Sequence, residues 1–219
     1  MKFTYIGDGI DAVIVDDFYT KDQLKDIHKE LKSLTNSKIL LNEKKLDTAT
    51  HQGELIASKH GIFLEQFFKN WRKSHLITHG ITQTTSDEFR KGLFKCNTMY
   101  KSLFHCNVRS HLLSYYENSD YYDTHTDSFF FTILNYFNVE PKQFSGGEVV
   151  LLSCNSNKKS TIEPINNRII VIPSCTPHKV KKIKFSSNNT FSGNGRYCNA
   201  MFLTHLDPKV NFKKMKVLV

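Results

Sequence analysis

The spacing of hydrophobic residues changes along the chain, from a helical period near the N-terminus to alternation after residue 104. Residues 10–18 are rich in Val and Ile and predict a strand. Thr20 and Gln23 then form a capping box at the start of an amphipathic helix predicted over 21–34. The apolar residues of this helix recur at intervals of three and four positions: Leu24, Ile27, Leu31 and Leu34.

The region between this helix and residue 104 has a less regular pattern. Residues 37–61 are mostly polar and predict a loop that crosses the surface. The apolar and aromatic stretches 62–71 and 86–100 predict helices. We therefore expect residues 1–104 to form a helical or mixed support for the rest of the chain.

After residue 104, short alternating segments rich in β-branched and aromatic residues predict strands. Turn-forming Asn, Gly and Ser residues separate them. Eight such segments can be counted: 106–116, 121–126, 129–137, 148–152, 161–163, 168–172, 179–185 and 196–204. The pattern predicts a mainly β fold with N-terminal helices, built on a double-stranded β-helix (jelly roll) core over 105–205. No repeat or low-complexity linker divides the chain, so we expect one domain over 1–219.

The composition is that of an ordinary globular protein, with 39% hydrophobic and 23% charged residues. No apolar run approaches the roughly 20 residues that a membrane helix needs, so we expect no membrane association. No basic and apolar leader opens the chain, and we therefore expect a cytoplasmic protein. The five cysteines are odd in number and widely spaced, without a CxxC motif, which favours free thiols over disulfides or a zinc knuckle.

The net charge of +9 comes mostly from lysine and favours acidic partners, among which nucleic acid is one class. A solvated lysine surface is the alternative explanation, and we prefer it for the basic C-terminal tail that contains Lys213, Lys214 and Lys216. The turn region 186–195 is unusually long and ends just before Arg196.

One constellation of residues points to chemistry. His125 and Asp127 stand two positions apart at the end of a predicted strand, where alternate residues share a face. His178 follows a proline ahead of a later strand, and Arg196 opens the last strand. Two histidines and one carboxylate that converge on an ion leave open positions, which is the ligand set of non-haem Fe(II) oxygenases. An arginine that reaches the same cavity can bind a carboxylate through two parallel hydrogen bonds.

These residues lie in a segment, 114–203, that resembles the 2-oxoglutarate and Fe(II)-dependent dioxygenases, and most of all their prolyl 4-hydroxylase-like branch. The stretches that carry the resemblance are SYYENSDYYDTHTD, TILNYFN, FSGGEVVLL, NRIIVIPSCTPHKV and GRYCNAMFL. The opening IDAVIVDDFYTKDQLKDI is similar to the strand and helix with which that branch usually begins.

The resemblance implies a role for each of six residues. His125, Asp127 and His178 would bind Fe(II), and Arg196 would hold the distal carboxylate of 2-oxoglutarate. Two tyrosines would contact the co-substrate: Tyr115, ten residues before the first ligand, and Tyr136, in the NYFN stretch. The implied cofactors are Fe(II), 2-oxoglutarate as co-substrate and O₂, with ascorbate as a reductant.

Three functions compete on this basis. The first is an Fe(II)- and 2-oxoglutarate-dependent dioxygenase that hydroxylates a protein or peptide substrate at proline, with succinate and CO₂ as co-products. The second is a nucleic-acid oxidative demethylase on the same fold. Relatives of that kind carry a second arginine six residues after the first, where this chain has Phe202, so nucleic acid is the less favoured partner. The third is a non-catalytic jelly-roll binding module, which would have no use for the triad and Arg196.

A second pair of histidines stands outside this constellation. His75 and His79 are four residues apart in HLITH, on one face of a predicted helix, and lack the glutamate of the metalloprotease motif. From the sequence, we interpret them as ordinary surface or packed histidines.

Overall fold

The structure is a computed structural model that describes residues 1–46, 49–185 and 192–207. Asp47 and Thr48, residues 186–191 of the long turn before Arg196 and the lysines of the basic tail lie outside these ranges. Within them, the helices are α1 (Lys21–Asn36), α2 (Glu43–Leu46), α3 (Leu64–Phe67), α4 (His75–Thr84) and α5 (Asp87–Cys96), with 3₁₀ helices at Trp71–Lys73 and Thr98–His105. None of the described helices is long and apolar enough to cross a membrane.

The strands of the described ranges form two main sheets and two separate pairs of short strands. In chain order they are β1 (Lys2–Ile6), β2 (Ala12–Asp16), β3 (Leu41–Asn42), β4 (Thr50–His51), β5 (Glu54–Leu55), β6 (Ala57–Ser58), β7 (His60–Phe63), β8 (Val108–Tyr116), β9 (Tyr121–His125), β10 (Phe131–Phe137), β11 (Phe144–Gly146), β12 (Val149–Leu152), β13 (Lys159–Ile162), β14 (Arg168–Pro173), β15 (His178–Val180), β16 (Ile183–Phe185) and β17 (Arg196–Thr204).

The larger sheet has eight antiparallel strands in the order β1-β2-β14-β10-β17-β8-β7-β3, and the smaller has five in the order β13-β12-β15-β9-β6. One hydrophobic cluster joins side chains of both sheets, among them Leu134 and Ile170 of the larger and Val149 and Leu151 of the smaller. The expected mainly β fold with a jelly-roll core is confirmed.

A second hydrophobic cluster lies between the other face of the larger sheet and the helices. Ile27 and Leu31 of α1 and Leu76 of α4 pack there with Leu113 of β8 and Met201 of β17. Because the central strands are covered on both faces, β10 is buried along its whole length, as is most of β17. Strands that are covered on both faces in this way need not follow the alternation of apolar and polar residues that the sequence analysis used to predict them.

The N-terminal helix confirms its predicted start. Thr20 Oγ1 accepts a hydrogen bond from the Gln23 amide at 3.3 Å, and Gln23 Oε1 accepts one from the Thr20 amide at 3.0 Å. This reciprocal pair satisfies two of the amides that a helix start leaves without intrahelical partners.

The loop predicted over 37–61 and the helix predicted over 62–71 are wrong for most of their length. Strands β3 and β7 extend the larger sheet beside β8, and β6 pairs with β9 in the smaller sheet. Only one helical turn, α3, follows β7. A Cβ at Gly61 would lie 2.8 Å from the Leu113 carbonyl oxygen, so the close approach of β7 to β8 depends on this glycine. Residues of the expected support region thus build part of both sheets.

The predicted strands after residue 104 all correspond to observed ones, with one division. The segment predicted over 179–185 corresponds to two strands, β15 and β16, and β11, which was not among the predicted segments, pairs with β16. The long β17 has the predicted bounds and lies between β10 and β8 in the larger sheet.

Candidate metal centre

A cavity of about 550 Å³ lies between the two sheets and is lined by His125, Asp127, His178 and Arg196. The histidines come from the smaller sheet, where β9 and β15 pair with His125 opposite His178. Arg196 comes from the larger sheet, at the start of β17. The two sheets therefore bring four polar residues, distant in sequence, into one cleft.

The three predicted metal ligands converge within this cavity. One ligand atom of each of His125, Asp127 and His178 lies within 4.8 Å of the other two. Nε2 of His125 is 3.8 Å from Asp127 Oδ1, and Nε2 of His178 is 3.7 Å from Asp127 Oδ2. The imidazole rings have centroids 4.2 Å apart. This arrangement can hold a metal ion with both Nε2 atoms and one carboxylate oxygen on the same side of it.

Backbone carbonyls orient both imidazoles. Nδ1 of His125 lies 2.8 Å from the Asp123 carbonyl oxygen, and Nδ1 of His178 lies 2.9 Å from the Thr176 carbonyl oxygen. A carbonyl only accepts, so Nδ1 must carry the proton and donate it. Nε2 then presents its lone pair to the cavity, which is the tautomer that a metal ion binds.

The electrostatic environment keeps His125 neutral. Burial is the main cause that lowers the pKa of His125 to about 3, and the neighbouring His178 contributes because two imidazolium ions would repel each other. The Tyr122 ring stacks on His125 with centroids 3.6 Å apart, which restricts rotation of the imidazole. The uncharged form required for coordination is thus present at neutral pH.

The carboxylate is held by its own partners. Thr132 Oγ1 donates a hydrogen bond to Asp127 Oδ2 at 2.6 Å, and the Ser174 hydroxyl lies 2.9 Å from Thr132 Oγ1. The Asp127 amide donates to the Ser174 carbonyl oxygen at 2.9 Å. These contacts connect the loop after β9 to β10 and to the turn before His178, and they fix the carboxylate although Asp127 lies beyond the end of its strand.

Replacing Thr132 by Val should weaken metal binding without removing a ligand. The substitution preserves the side-chain shape and deletes the hydroxyl that orients Asp127, so we expect the affinity for Mn(II) to fall about 10- to 100-fold. Titration calorimetry measures this, with Thr132→Ser, which retains the hydroxyl, as the matched control. Equal affinity in wild type and Thr132→Val would show that the hydroxyl does not position the carboxylate.

Arg196 forms a cationic site deep in the same cavity. The side chain is 1% exposed, and its guanidinium lies over the rings of Tyr116 at 4.7 Å and Tyr136 at 4.8 Å. Two of its nitrogens, Nε and Nη1, are buried and have no hydrogen-bond partner among the described residues. A buried guanidinium with two unpaired N–H groups is costly unless an anion binds it, and a carboxylate matches its geometry.

The two tyrosines predicted to contact the co-substrate lie in different surroundings. Tyr136 is buried beside Arg196. The position of Tyr115 differs from the prediction. It lies on the face of β8 that points away from the cavity, where its ring packs against Tyr197 with centroids 4.6 Å apart. Its hydroxyl accepts hydrogen bonds from the amides of Gly193 and Gly195, at 3.2 Å each. Tyr116 lines the cavity instead, because neighbouring residues of a strand point to opposite faces.

A pair of glycines lets the backbone approach Arg196. Gly147 has a φ of +72°, and a Cβ there would lie 2.9 Å from Arg196 Cδ and 3.0 Å from Ile183 Cγ1. Gly146 has a φ of +76°, and a Cβ there would lie 2.2 Å from the Lys182 carbonyl oxygen. The FSGGE stretch is therefore required both for backbone conformation and for space around the arginine.

Gly147→Ala should destabilise the protein more than Gly53→Ala. Gly53 also has a positive φ, +84°, but a Cβ there would have no atom within 4 Å. The control should lose at most about 1–2 kcal/mol for the left-handed conformation, and Gly147→Ala should lose about 1–3 kcal/mol more because of the clash. Urea unfolding measures both, and equal losses would contradict the close packing inferred at Arg196.

Several cavity residues were not found from the sequence. Lys59 is 3% exposed, lines the cavity and carries its ammonium group 4.6 Å from the centre of the Tyr122 ring. Phe129 and Phe202 stack with centroids 4.7 Å apart at another wall. Four further lining residues belong to the region that was predicted to be a loop: Ala49, Thr50, His51 and Ile56. A polar stretch carries no periodicity that would have indicated its contact with the cavity.

The residues present fit the cofactors that the resemblance implies. Two imidazoles and a carboxylate suit Fe(II). The unpaired guanidinium nitrogens of Arg196 suit the distal carboxylate of 2-oxoglutarate, and they open on the same cavity as the metal ligands.

Comparisons with known proteins agree with this geometry. Residues 110–204 match the family model of the 2OG-Fe(II) oxygenase superfamily, a stretch that begins in β8 and ends with β17. A search of curated proteins found no match. Over residues 110–204 the chain is similar to the 2OG-Fe(II) oxygenases, which confirms the resemblance seen in the sequence, and the ligand triad lies within this stretch. The class supports a dioxygenase and implies Fe(II), 2-oxoglutarate and O₂.

Solved structures with a similar fold include prolyl hydroxylases. A Pseudomonas putida prolyl-4-hydroxylase is 13% identical with a TM-score of 0.61, and the match covers 90% of this chain and 93% of the other. A Trichoplax adhaerens prolyl hydroxylase, solved with a peptide fragment of the hypoxia inducible factor oxygen degradation domain, is 17% identical with a TM-score of 0.64, covering 88% and 83%. At these identities the similarity is one of fold.

Proposed function

We propose that this protein is an Fe(II)- and 2-oxoglutarate-dependent dioxygenase that hydroxylates a protein or peptide substrate at a prolyl residue, within a single domain. The observation that carries the proposal is the convergence of His125, Asp127 and His178 in a cavity that Arg196 also lines, with two guanidinium nitrogens that have no hydrogen-bond partner among the described residues. A metal site and an anion site in one cleft suit a co-substrate that must bind both.

Each residue of the site has a defined task in this proposal. When bound, Fe(II) and 2-oxoglutarate supply the oxidising chemistry, with O₂ as oxidant and succinate and CO₂ as co-products. His125, Asp127 and His178 would hold the metal through two imidazoles and one carboxylate. Arg196 binds the distal carboxylate of 2-oxoglutarate and orients the molecule toward the metal. Tyr116 and Tyr136 flank the guanidinium and exclude water from the ion pair.

Other residues that line the cavity suit a peptide substrate. The hairpin β4–β5 contributes Thr50 and His51, and the stacked Phe129 and Phe202 contribute an apolar surface. A prolyl ring suits apolar contacts of this kind, and its restricted φ reduces the entropy lost on binding. The similarity of fold to prolyl hydroxylases, one of them solved with a peptide, adds to this support.

The net charge of +9 favours an acidic target segment, because opposite charges accelerate encounter. We therefore expect a proline peptide with acidic flanks to be hydroxylated faster than the same peptide with basic flanks. This preference should weaken as salt rises from low to physiological concentration, since the Debye length shortens to roughly 8 Å.

The decisive experiment measures succinate release and substrate mass together. Purified protein receives Fe(II), ascorbate and 2-oxoglutarate with either a proline peptide or a methylated oligonucleotide, and an Asp127→Ala variant serves as the inactive control. The expected result is succinate release that depends on the peptide, with a gain of one oxygen atom on proline. Oxidation of the oligonucleotide alone would replace the prolyl substrate by nucleic acid. Absence of succinate release with every substrate would favour a binding module.

A further inference from the structure

Two helices on the outer side of the larger sheet bring together a second group of metal-ligating side chains. We propose that Asp26 of α1 and His75 and His79 of α4 form a binding site for a divalent transition-metal ion, zinc(II) being the ion best matched to the ligands. One ligand atom of each residue lies within 4.8 Å of the other two. This site is independent of the jelly-roll cavity and of the function proposed for it.

The two histidines are arranged on one face of α4. They stand four residues apart in the helix, which makes their side chains neighbours. Their rings stack with centroids 5.3 Å apart and an interplanar angle of 23°. His75 is exposed and His79 is partly buried, so the pair extends from solvent into the junction between the helices. Two imidazoles with this spacing can bind one ion from the same side.

Contacts on either side of the group fix α1 against α4. On one side, Gln83 Nε2 donates a hydrogen bond to Gln23 Oε1 at 2.6 Å. On the other, Glu30 Oε1 accepts from the Ser74 hydroxyl at 2.7 Å, and Glu30 Oε2 accepts from the Leu76 amide at 3.0 Å. Glu30 thereby caps the first turn of α4, where a negative charge is favourable.

These flanking contacts make the ligand group preorganised. Asp26 lies between Gln23 and Glu30 on α1, and His79 lies between the start and the end of α4. The helices therefore cannot slide past one another without breaking buried hydrogen bonds. Side chains carried by such a fixed junction lose little freedom when an ion binds them.

Nε2 of His79 is the ligand atom of this group that is buried most clearly without a partner among the described residues. This nitrogen is buried and has no hydrogen-bond partner within the part of the chain that the structure describes. Asp26 Oδ2 is 3.7 Å away, too far for a hydrogen bond and able to form an ion pair only with a protonated imidazole. Two ligands about 2.0–2.1 Å from a tetrahedral zinc ion lie roughly 3.4 Å apart, so the observed separation needs little adjustment.

The donor set selects the class of ion. Imidazole nitrogens and a carboxylate suit zinc(II), whereas magnesium and calcium prefer oxygen ligands alone. Three protein ligands leave the fourth position to water, on the exposed side of His75. Lys29 Nζ lies 3.8 Å from the other oxygen of Asp26, but its side chain is 69% exposed and can turn into solvent. A surface pair of this kind contributes little stability, so it competes weakly with an ion.

The test compares zinc stoichiometry in three forms of the full chain, each freed of metal by chelation. The variant His75→Gln/His79→Gln removes both imidazoles. The matched control, His105→Gln/His205→Gln, removes two exposed histidines that the structure does not group with a carboxylate. We expect the first variant to bind one zinc equivalent fewer than wild type, and the control to bind the same number as wild type. Zinc bound in the jelly-roll cavity does not affect this comparison, because all three forms keep the cavity residues.

Thermal unfolding provides a second readout. Zinc binding to the helix junction should raise Tm further in wild type and in the control than in His75→Gln/His79→Gln, because an ion that binds only the folded state stabilises it. The single variant His75→Gln changes an exposed side chain and should fold normally, with zinc affinity at this site reduced at least 10-fold. Equal zinc stoichiometry in wild type and His75→Gln/His79→Gln, or unchanged affinity in His75→Gln, would overturn the proposal.

Discussion

Replacing His178 by Ala is expected to reduce turnover to the level of an assay without metal. His178 is 3% exposed and is one of the three candidate ligands, and we expect the two that would remain to hold Fe(II) too weakly for turnover. The fold should survive, because an ion in an open site contributes less stability than the hydrophobic cores of the two sheets. We expect the free energy of unfolding to fall by no more than about 2 kcal/mol.

The measurement combines succinate release, Mn(II) binding and urea unfolding. His205→Ala, at an exposed position outside the cavity, is the matched control and should keep wild-type turnover. Full turnover in His178→Ala would remove His178 from the metal site. Loss of cooperative unfolding in that variant would instead assign the residue a structural role.

Replacing Arg196 by Ala should raise the 2-oxoglutarate concentration needed for half-maximal turnover about 30- to 3,000-fold. Truncation of one partner in a buried charge pair costs about 2–5 kcal/mol, and each 1.4 kcal/mol is tenfold in affinity. Metal affinity should change little, because Arg196 belongs to the opposite sheet from the two ligating histidines.

The stability of the cofactor-free protein gives an independent check on Arg196. Its guanidinium is buried, and two of its nitrogens have no hydrogen-bond partner among the described residues, so removing it takes away a polar group that is costly to bury. We expect Arg196→Ala to leave Tm unchanged or higher in the absence of 2-oxoglutarate. Arg196→Lys keeps the charge but loses the two parallel N–H groups, and its affinity should fall between the other two proteins. Equal 2-oxoglutarate affinity in wild type and Arg196→Ala would refute the anion site.

The two tyrosines illustrate the limit of inference from spacing. Counting back from His125 identified Tyr115, yet Tyr116 faces the cavity. The pairing of Tyr116 with Arg196 across β8 and β17 decides this, because cross-strand partners share a face. Two adjacent tyrosines are equally compatible with a strand, and only the register of the sheet distinguishes them.

Residues 37–63 show a second limit. Their strands have two to four residues each and contain too few positions for a periodic pattern. Two of them, β6 and β7, are held by pairing with β9 and β8, strands that follow much later in the chain. Their contribution to the cavity, Lys59 included, was therefore not predictable from local sequence.

Three features could be predicted from local sequence: the helix start at Thr20, the strands after residue 104, and the candidate set His125, Asp127, His178 and Arg196. Side-chain alternation, capping and short motifs are encoded within a few neighbouring residues. Tertiary structure decided which face of each strand meets the cavity, which short segments extend the sheets, and that Asp26 meets His75 and His79 between two helices. Those outcomes depend on contacts between distant parts of the chain, whose energies come from burial and strand pairing that no local pattern records.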